Sequence, residues 1–541
     1  MKHTALALCV AALAVLPATI SSQSSSVESK VDAVFAKWTA STPGCAVGVA
    51  TGGAPVLAKG YGMADLEHDV RISPDSILEA GSVSKQFTAA AVMLLAREGK
   101  LSLDDHARQY IPELPDYGSP LTIRHMLNHT SGLRDWGNVA GIAGWPRTTR
   151  VHTHSHVLEI VGRQRAVNFT PGTHWSYSNT GFNLAAIIVE RVSGMTLQEF
   201  TRTRLFQPLG MTRTSWRDDY SRIVKGRALA YRERDGVFYT DMPFENVYGN
   251  GGLLTTVGDL LKWNEHYDAP PAADAAMVAE QQKAGHFNDG RTHGYGLGLF
   301  VGTYKGLREV YHSGSTAGYS AFLTRFPDQR VSVAVLCNAT SAQATQYAHA
   351  VADLYLGDRL KPSEVKADYT PTSAEADRVT GLWVSDVTGL AVTIDRDKDS
   401  LRLARSVPLY ARSGMSFLTG GLDELHLDGR GLRHTDPYGT VEALRREKPW
   451  TPGSADLEAF AGAYVSDEAE TTLTAAVENG QLVLKRRPDT TIALTPTYAD
   501  AFTADHGLGT VIFKRDAGGR PAELHVVEDR VWNMPFRKVK S

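Results

Sequence analysis

Gly81-Ser82-Val83-Ser84-Lys85-Gln86-Phe87-Thr88 leads directly into Ala89-Ala90-Ala91-Val92-Met93-Leu94-Leu95-Ala96-Arg97, and the reading of this stretch decides the fold. Its second half is a strong helix former, apolar on most sides, that ends at Gly99. Such a helix is buried. Residues three apart share a helix face, so Ser82 and Lys85 meet if the helix begins near Ser82. Unpaired N–H groups and the dipole at a helix N-terminus favour negative charge on a serine oxygen. Lys85 can accept a proton only if desolvation or a nearby cation lowers its pKa. The pattern points to acyl transfer through a serine nucleophile. The plainer reading is an N-cap serine beside a solvated lysine. A second S-x-x-K, Ser363 to Lys366, sits in a polar, linker-like stretch, so context has to decide between the two.

Two more constellations supply that context. Trp175-Ser176-Tyr177-Ser178-Asn179 precedes an apolar helical run, Leu184 to Val189. The Tyr177 phenol suits a general acid or base, and the Asn179 amide can hold a substrate carbonyl or Lys85. Tyr248-Gly249-Asn250 also spells Y-x-N, but it runs into Gly251-Gly252 and reads as a loop. Tyr311-His312-Ser313-Gly314-Ser315 precedes the apolar strand Val331 to Leu336 and holds the one H-x-G of the chain. At a sheet edge Gly314 would admit a substrate backbone, and the Ser315 N–H, paired with that of Ser82, would form an oxyanion hole.

In this order the motifs resemble the serine β-lactamase and penicillin-binding protein superfamily, which carries S-x-x-K, Y-x-N and K-[ST]-G. His125 to Leu133, Gly251 to Thr256 and Tyr295 to Gly298 also look like that family. The resemblance implies an α/β (α+β) β-lactamase/transpeptidase-like catalytic domain, with a central antiparallel sheet flanked by helices. It implies catalysis by Ser82, Lys85 and Tyr177, support from Asn179, His312 and Gly314, and an oxyanion hole from the N–H groups of Ser82 and Ser315. No cofactor and no metal are called for. Which of Lys85 and Tyr177 is the base stays open. His312 is expected to carry positive charge into the cleft and to help protonate the leaving group. The chain departs from the family in having no K-[ST]-G, and histidine is a weaker, titratable cation. Tight carboxylate recognition is therefore in doubt. The H-x-G version resembles D-aminopeptidases and esterase-like members, with β-lactamase and a penicillin-binding protein acylated without efficient turnover as alternatives.

With 541 residues, 43% of them hydrophobic, the chain can build several domains around large cores. A net charge of −3 gives no basic footprint for nucleic acid. Residues 1–23 read as a signal peptide, with an apolar stretch from Ala5 to Pro17, so the mature protein is expected to be exported, periplasmic or secreted, with no integral membrane segment. The mature cysteines Cys45 and Cys337 each sit in a strand-like apolar stretch, and two buried free thiols are the default unless the strands are neighbours. The run His152-Thr153-His154-Ser155-His156 lacks companion ligands and reads as a solvent-facing helix start. His125 and His129 are left out of the site.

Beyond the catalytic region, 24–366, the pattern changes to short alternating strands, and it repeats. Gly381-Leu382-Trp383-Val384-Ser385-Asp386 recurs as Gly462-Ala463-Tyr464-Val465-Ser466-Asp467, an offset of 81 residues shared by Leu401-Arg402-Leu403 and Leu482-Val483-Leu484. Two small all-β, barrel-like modules are expected over 367–450 and 451–541, and Asn479-Gly480 marks a hairpin in the second. This layout resembles D-aminopeptidases, in which a barrel loop reaches the cleft. Lys485 to Thr491 and Ala504 to Gly509 are the candidates for that loop here. The expected partner is a small peptide, amide or ester substrate, and a homo-oligomer stays open.

Overall fold

The computed structural model describes residues 20–539, apart from 362–365, 399, 414, 422 and 430. Most of the signal-peptide segment and the serine of the second S-x-x-K lie outside the described residues. Six strands form the central sheet: β1 (Cys45–Thr51), β2 (Ala54–Tyr61), β3 (Phe300–Tyr304), β4 (Leu307–Thr316), β5 (Tyr319–Phe326) and β6 (Val331–Cys337). Their order is β3-β4-β5-β6-β1-β2, antiparallel throughout. The chain thus returns after some 240 intervening residues to pair its first strand with its last in the sheet.

Period-two alternation explains the layering. Val47, Val49, Val333 and Val335 turn to one face, under α1 (Ile20–Val34) and α5 (Ala344–Leu356). Ala46, Ala50, Ala334 and Leu336 turn to the other, where α2 (Lys85–Arg97), α3 (Asn179–Ser193) and α4 (Val257–Asp268) build the larger core. Among the described residues no helix is long and apolar enough to cross a membrane.

The two repeats are two closed barrels of eight antiparallel strands each, one between Gly381 and Glu447 and one between Gly462 and Lys538. The repeated hexapeptides are first strands and the repeated leucine triplets lie in third strands. Asn479 and Gly480 both have positive φ, 51° and 78°, as a two-residue hairpin requires. A short helix precedes each barrel, Ser373–Val379 and Ser454–Phe460, again 81 residues apart. The Trp383 indole donates to the Val379 carbonyl at 2.7 Å, and the equivalent Tyr464 hydroxyl donates to that of Phe460 at 2.9 Å. These plugging helices were not read from the sequence, although Thr372 and Glu375 form a capping box that signals the first.

The second barrel docks on the catalytic layer through an ion pair, Arg134 to Glu468 at 2.7 Å, whose side chains are 3% and 7% exposed. Arg134 also donates to the Trp532 carbonyl, and the Arg165 N–H donates to Glu468.

The expectation of free thiols fails. Cys45 and Cys337 are directly opposite in the β1–β6 ladder and form a disulfide, because the two apolar stretches are adjacent strands. The bridge closes a loop of 292 residues, so its loss relaxes the unfolded chain over more than half its length. Replacing both cysteines by alanine should cost about 2–4 kcal/mol, read as a lower urea midpoint with a steeper slope, because the unbridged unfolded chain exposes more surface.

Candidate active site

Ser82 lies in a 3-10 turn, Gly81–Ser84, and Lys85 opens α2. A 3-10 turn eclipses positions three apart, so the two side chains face each other from the start of the helix. Lys85 Nζ lies 3.1 Å from Ser82 Oγ, 2.9 Å from Asn179 Oδ1 and 2.7 Å from the Asn250 carbonyl oxygen. The lysine is fully buried, and no carboxylate pairs with it among the described residues. Burial first, then the Arg530 charge, drives its pKa well below the usual lysine value; Asp135 works in the opposite direction. A neutral amine fits these partners. Its two hydrogens go to the carbonyl oxygens of Asn179 and Asn250, and its lone pair faces the Ser82 hydroxyl.

Asn179 starts α3, and its N–H donates to Asp135 Oδ2 at 2.7 Å. Tyr177, two residues before it, borders the same cleft as Ser82. Lys85 Nζ is 4.7 Å and the Arg530 guanidinium carbon 4.8 Å from the centre of the Tyr177 ring, with the His129 ring at 4.2 Å. Burial pushes the phenol above its ordinary pKa, more than the neighbouring Ser82 and the Arg530 charge lower it, so it stays protonated.

One expectation at β4, the charge on His312, needs correction. His312 is 1% exposed and brings no charge: its Nδ1 donates to the Ser313 carbonyl at 2.6 Å, while the Tyr295 hydroxyl donates to Nε2 at 2.9 Å. Burial, then the Lys85 charge, lowers its pKa to about 3. Burial without a carboxylate partner is what disfavours the charged imidazole. Gly314, which borders the cleft, also makes room for the protein's own backbone. A Cβ there would overlap the Ala80 carbonyl and crowd the Ser82 nitrogen, and one on Gly81 would meet the Ser315 nitrogen. This close approach sets the backbones of Ser82 and Ser315 against each other at the cleft.

Several site residues escaped the sequence reading. His129, set aside as a turn, is fully buried against Tyr177 and Tyr295 and takes the Ser178 N–H on Nδ1 at 3.1 Å. Asn250, in the rejected Y-x-N, contributes a main-chain oxygen, which no side-chain pattern reveals. The run from His152 to His156 differs from expectation too. His152 is buried, His154 bonds the Tyr248 carbonyl, and His156 accepts the Thr153 N–H, so the three do not converge.

Both barrels complete the cleft, each with the turn between its seventh and eighth strands. From the first, Tyr438 stacks on Trp175, ring centres 4.1 Å apart, and Thr440 Oγ1 accepts the Trp175 N–H. From the second comes Arg530, whose carbonyl accepts the Asp135 N–H and the Asn168 amide. The expected loops do otherwise: Arg486 and Arg487 donate to the carbonyls of Gly141 and Ala143, holding the helix Trp136–Ile142. A hairpin of ordinary length offers no pattern that would single out Arg530. The resulting cavity, about 870 Å³, runs from Ser82 to the first barrel.

Residues 31–356 match the family model described as Beta-lactamase. The chain belongs to the beta-lactamase family. It is similar to a D-aminopeptidase of Brucella anthropi, 27% identical over 532 residues, covering 92% of this chain and 96% of that one. Penicillin-binding protein 4* of Bacillus subtilis is 27% identical over 388 residues, 66% of this chain and 84% of its own. Among solved structures, the octameric penicillin-binding protein homologue from Pyrococcus abyssi superposes with a TM-score of 0.56 at 24% identity, covering 78% of this chain and 99% of that one, a likeness of fold. This family member is a serine hydrolase.

Gly314→Ala tests the packing that shapes the site. It should destabilise the protein by about 1–3 kcal/mol and cut turnover more than the fraction unfolded accounts for, measured by urea titration beside kcat at saturating substrate.

Proposed function

We propose that the protein is an exported D-aminopeptidase-type hydrolase that cleaves amide or ester bonds of small substrates through a Ser82 acyl-enzyme. The observation that carries this reading is the buried Lys85 amine, 3.1 Å from Ser82 Oγ with its remaining partners both carbonyl oxygens. The likeness to D-aminopeptidase over nearly the whole chain, both barrels included, supports the peptidase type. The leader-like N-terminus and the Cys45–Cys337 disulfide support export.

Lys85 is the base, because its amine is the group shifted toward the proton-accepting form. It takes the Ser82 proton as Oγ attacks the carbonyl carbon. The N–H groups of Ser82 and Ser315 hold the oxyanion. Tyr177, still protonated, gives its proton to the departing amine or alkoxide and is reprotonated from the Lys85 ammonium. Water then repeats the sequence on the acyl-enzyme and releases the acid.

D-alanine and L-alanine p-nitroanilides, with Ser82→Ala as control, test the reading. Turnover of the D-substrate alone, reduced at least about 10⁴-fold in Ser82→Ala, is expected. Equal turnover by wild type and Ser82→Ala would remove the nucleophile.

The pH profile follows from the signs. kcat/KM should rise with pH as Lys85 loses its proton. The Arg530 charge lowers the Lys85 pKa, so Arg530→Gln should raise it and move this limb to higher pH, with Arg530→Lys keeping it in place. His312 and His129, both held neutral, should add no limb between pH 5 and 9.

One observation favours a second reading. Arg530 returns a cation to a cleft in which His312 is neutral, which suits a carboxylate-bearing β-lactam or D-alanyl peptide. Nitrocefin turnover that collapses in Arg530→Gln would favour it, and absence of nitrocefin turnover would remove it.

A further inference from the structure

The cleft does not stop at the catalytic residues. Its wall continues past Tyr438 to Leu390, Val392, Leu403, Leu425 and Leu444 of the first barrel, all bordering the same cavity as Ser82. Residues directly opposite in an antiparallel ladder share a face. Ile394 pairs with Leu403, Leu425 with His434, and Leu432 with Leu444. Ile394, Leu425, Leu432 and Leu444 form the barrel's buried core, with Val392 and Leu403 only partly covered at its edge. This face is therefore the barrel interior, and it opens onto the active site.

Two of the polar side chains at this mouth, His434 and Asp436, already have partners. His434 Nε2 bonds Asp423 Oδ1 at 3.0 Å, and Asp436 Oδ1 accepts the N–H groups of Tyr438 and Thr440 at 2.9 and 2.8 Å. Beside the half-buried Glu442, the mouth leaves hydrocarbon uncovered, with Leu390 36% exposed at its rim. The volume agrees. A cavity of about 870 Å³ is near the upper end of the roughly 300–1,000 Å³ that encloses a drug-sized ligand, far more than an alanine derivative fills.

We propose that the open end of the first barrel is the subsite for an apolar group of the substrate, a linear or branched chain of roughly six to ten carbons, as small eight-stranded barrels hold one apolar ligand. The chain passes the Trp175–Tyr438 stack and lies against Leu390, Val392 and Leu403. This rests on the Ser82 acyl-enzyme reading and narrows its substrate class to amides or esters with a large apolar substituent.

The test uses the full chain with p-nitrophenyl esters from acetate to decanoate, and with acetate esters of methanol to decanol, so that both sides of the scissile bond are probed. In one series kcat/KM should rise about three- to fourfold per added methylene over the middle of the range. Leu390→Asp, which charges the rim, and Leu403→Trp, which fills the mouth, should bring the long-to-short ratio down toward one. Far-ultraviolet circular dichroism checks that both variants fold. Ser82-dependent turnover that is flat with chain length in both series would overturn the subsite while leaving the nucleophile standing. A length preference that survives in both folded variants would also overturn it, by placing the apolar group elsewhere. If wild type and Ser82→Ala cleave every ester equally, the catalytic reading fails and the subsite with it.

Discussion

A lysine removed from water with no carboxylate to pair with is the constraint on which the active site depends. An unpaired buried ammonium is costly, and the cheaper outcome is a neutral amine. Three separate parts of the chain keep Lys85 in that condition. α2 carries it, α3 presents Asn179, and the 249–251 loop turns a carbonyl toward it. None of the three offers a negative charge. Had Asp135 reached the amine instead of the Asn179 N–H, it would have held the ammonium and disabled the base. The N–H of Asn179 absorbs that carboxylate and leaves only its weaker, longer-range pull on Lys85.

At β4 the cleft is lined by His312 where the family pattern has a lysine. The neutral imidazole instead spans the Tyr295 hydroxyl and the Ser313 carbonyl, tying the strand to the aromatic wall. One positive charge of the cleft arrives from outside the catalytic layer, on Arg530, which is partly exposed and ion-paired to Asp529 at 3.3 Å. Its delivery relies on the buried Arg134–Glu468 pair. That pair holds the second barrel beside Asp135, the residue whose N–H meets the Arg530 carbonyl.

Legibility in the sequence follows the range of the interaction. Ser82 with Lys85, Tyr177 with Asn179, and the H-x-G strand are short patterns fixed by helix or strand periodicity, and all three meet at one cleft. The barrels were legible because a duplication repeats its strands. What could not be read depends on main-chain atoms or on long-range placement. The Asn250 carbonyl has no side-chain signature, and the Cys45–Cys337 bridge needs the knowledge that β1 and β6 are neighbours. Charge state is the hardest to foresee. The side chain of His312 invites a cationic role that its burial disfavours.

The duplication also shows where the two barrels have diverged. The plugging helix, first strand and third strand keep an offset of 81 residues. In the closing strands, however, Trp383 pairs with Arg446 and the equivalent Tyr464 with Lys538, residues 92 apart. The additional residues therefore lie between the third and eighth strands, the half that contains the turn facing the active site. The conserved spacing preserves what closes a barrel: a helix under one end and an aromatic side chain bonded to its last turn. The altered half carries the tips that meet the active site, Tyr438 in one copy and Arg530 in the other. One module repeated twice thus meets a single cleft with two different tips, a ring that shapes it and a cation that charges it.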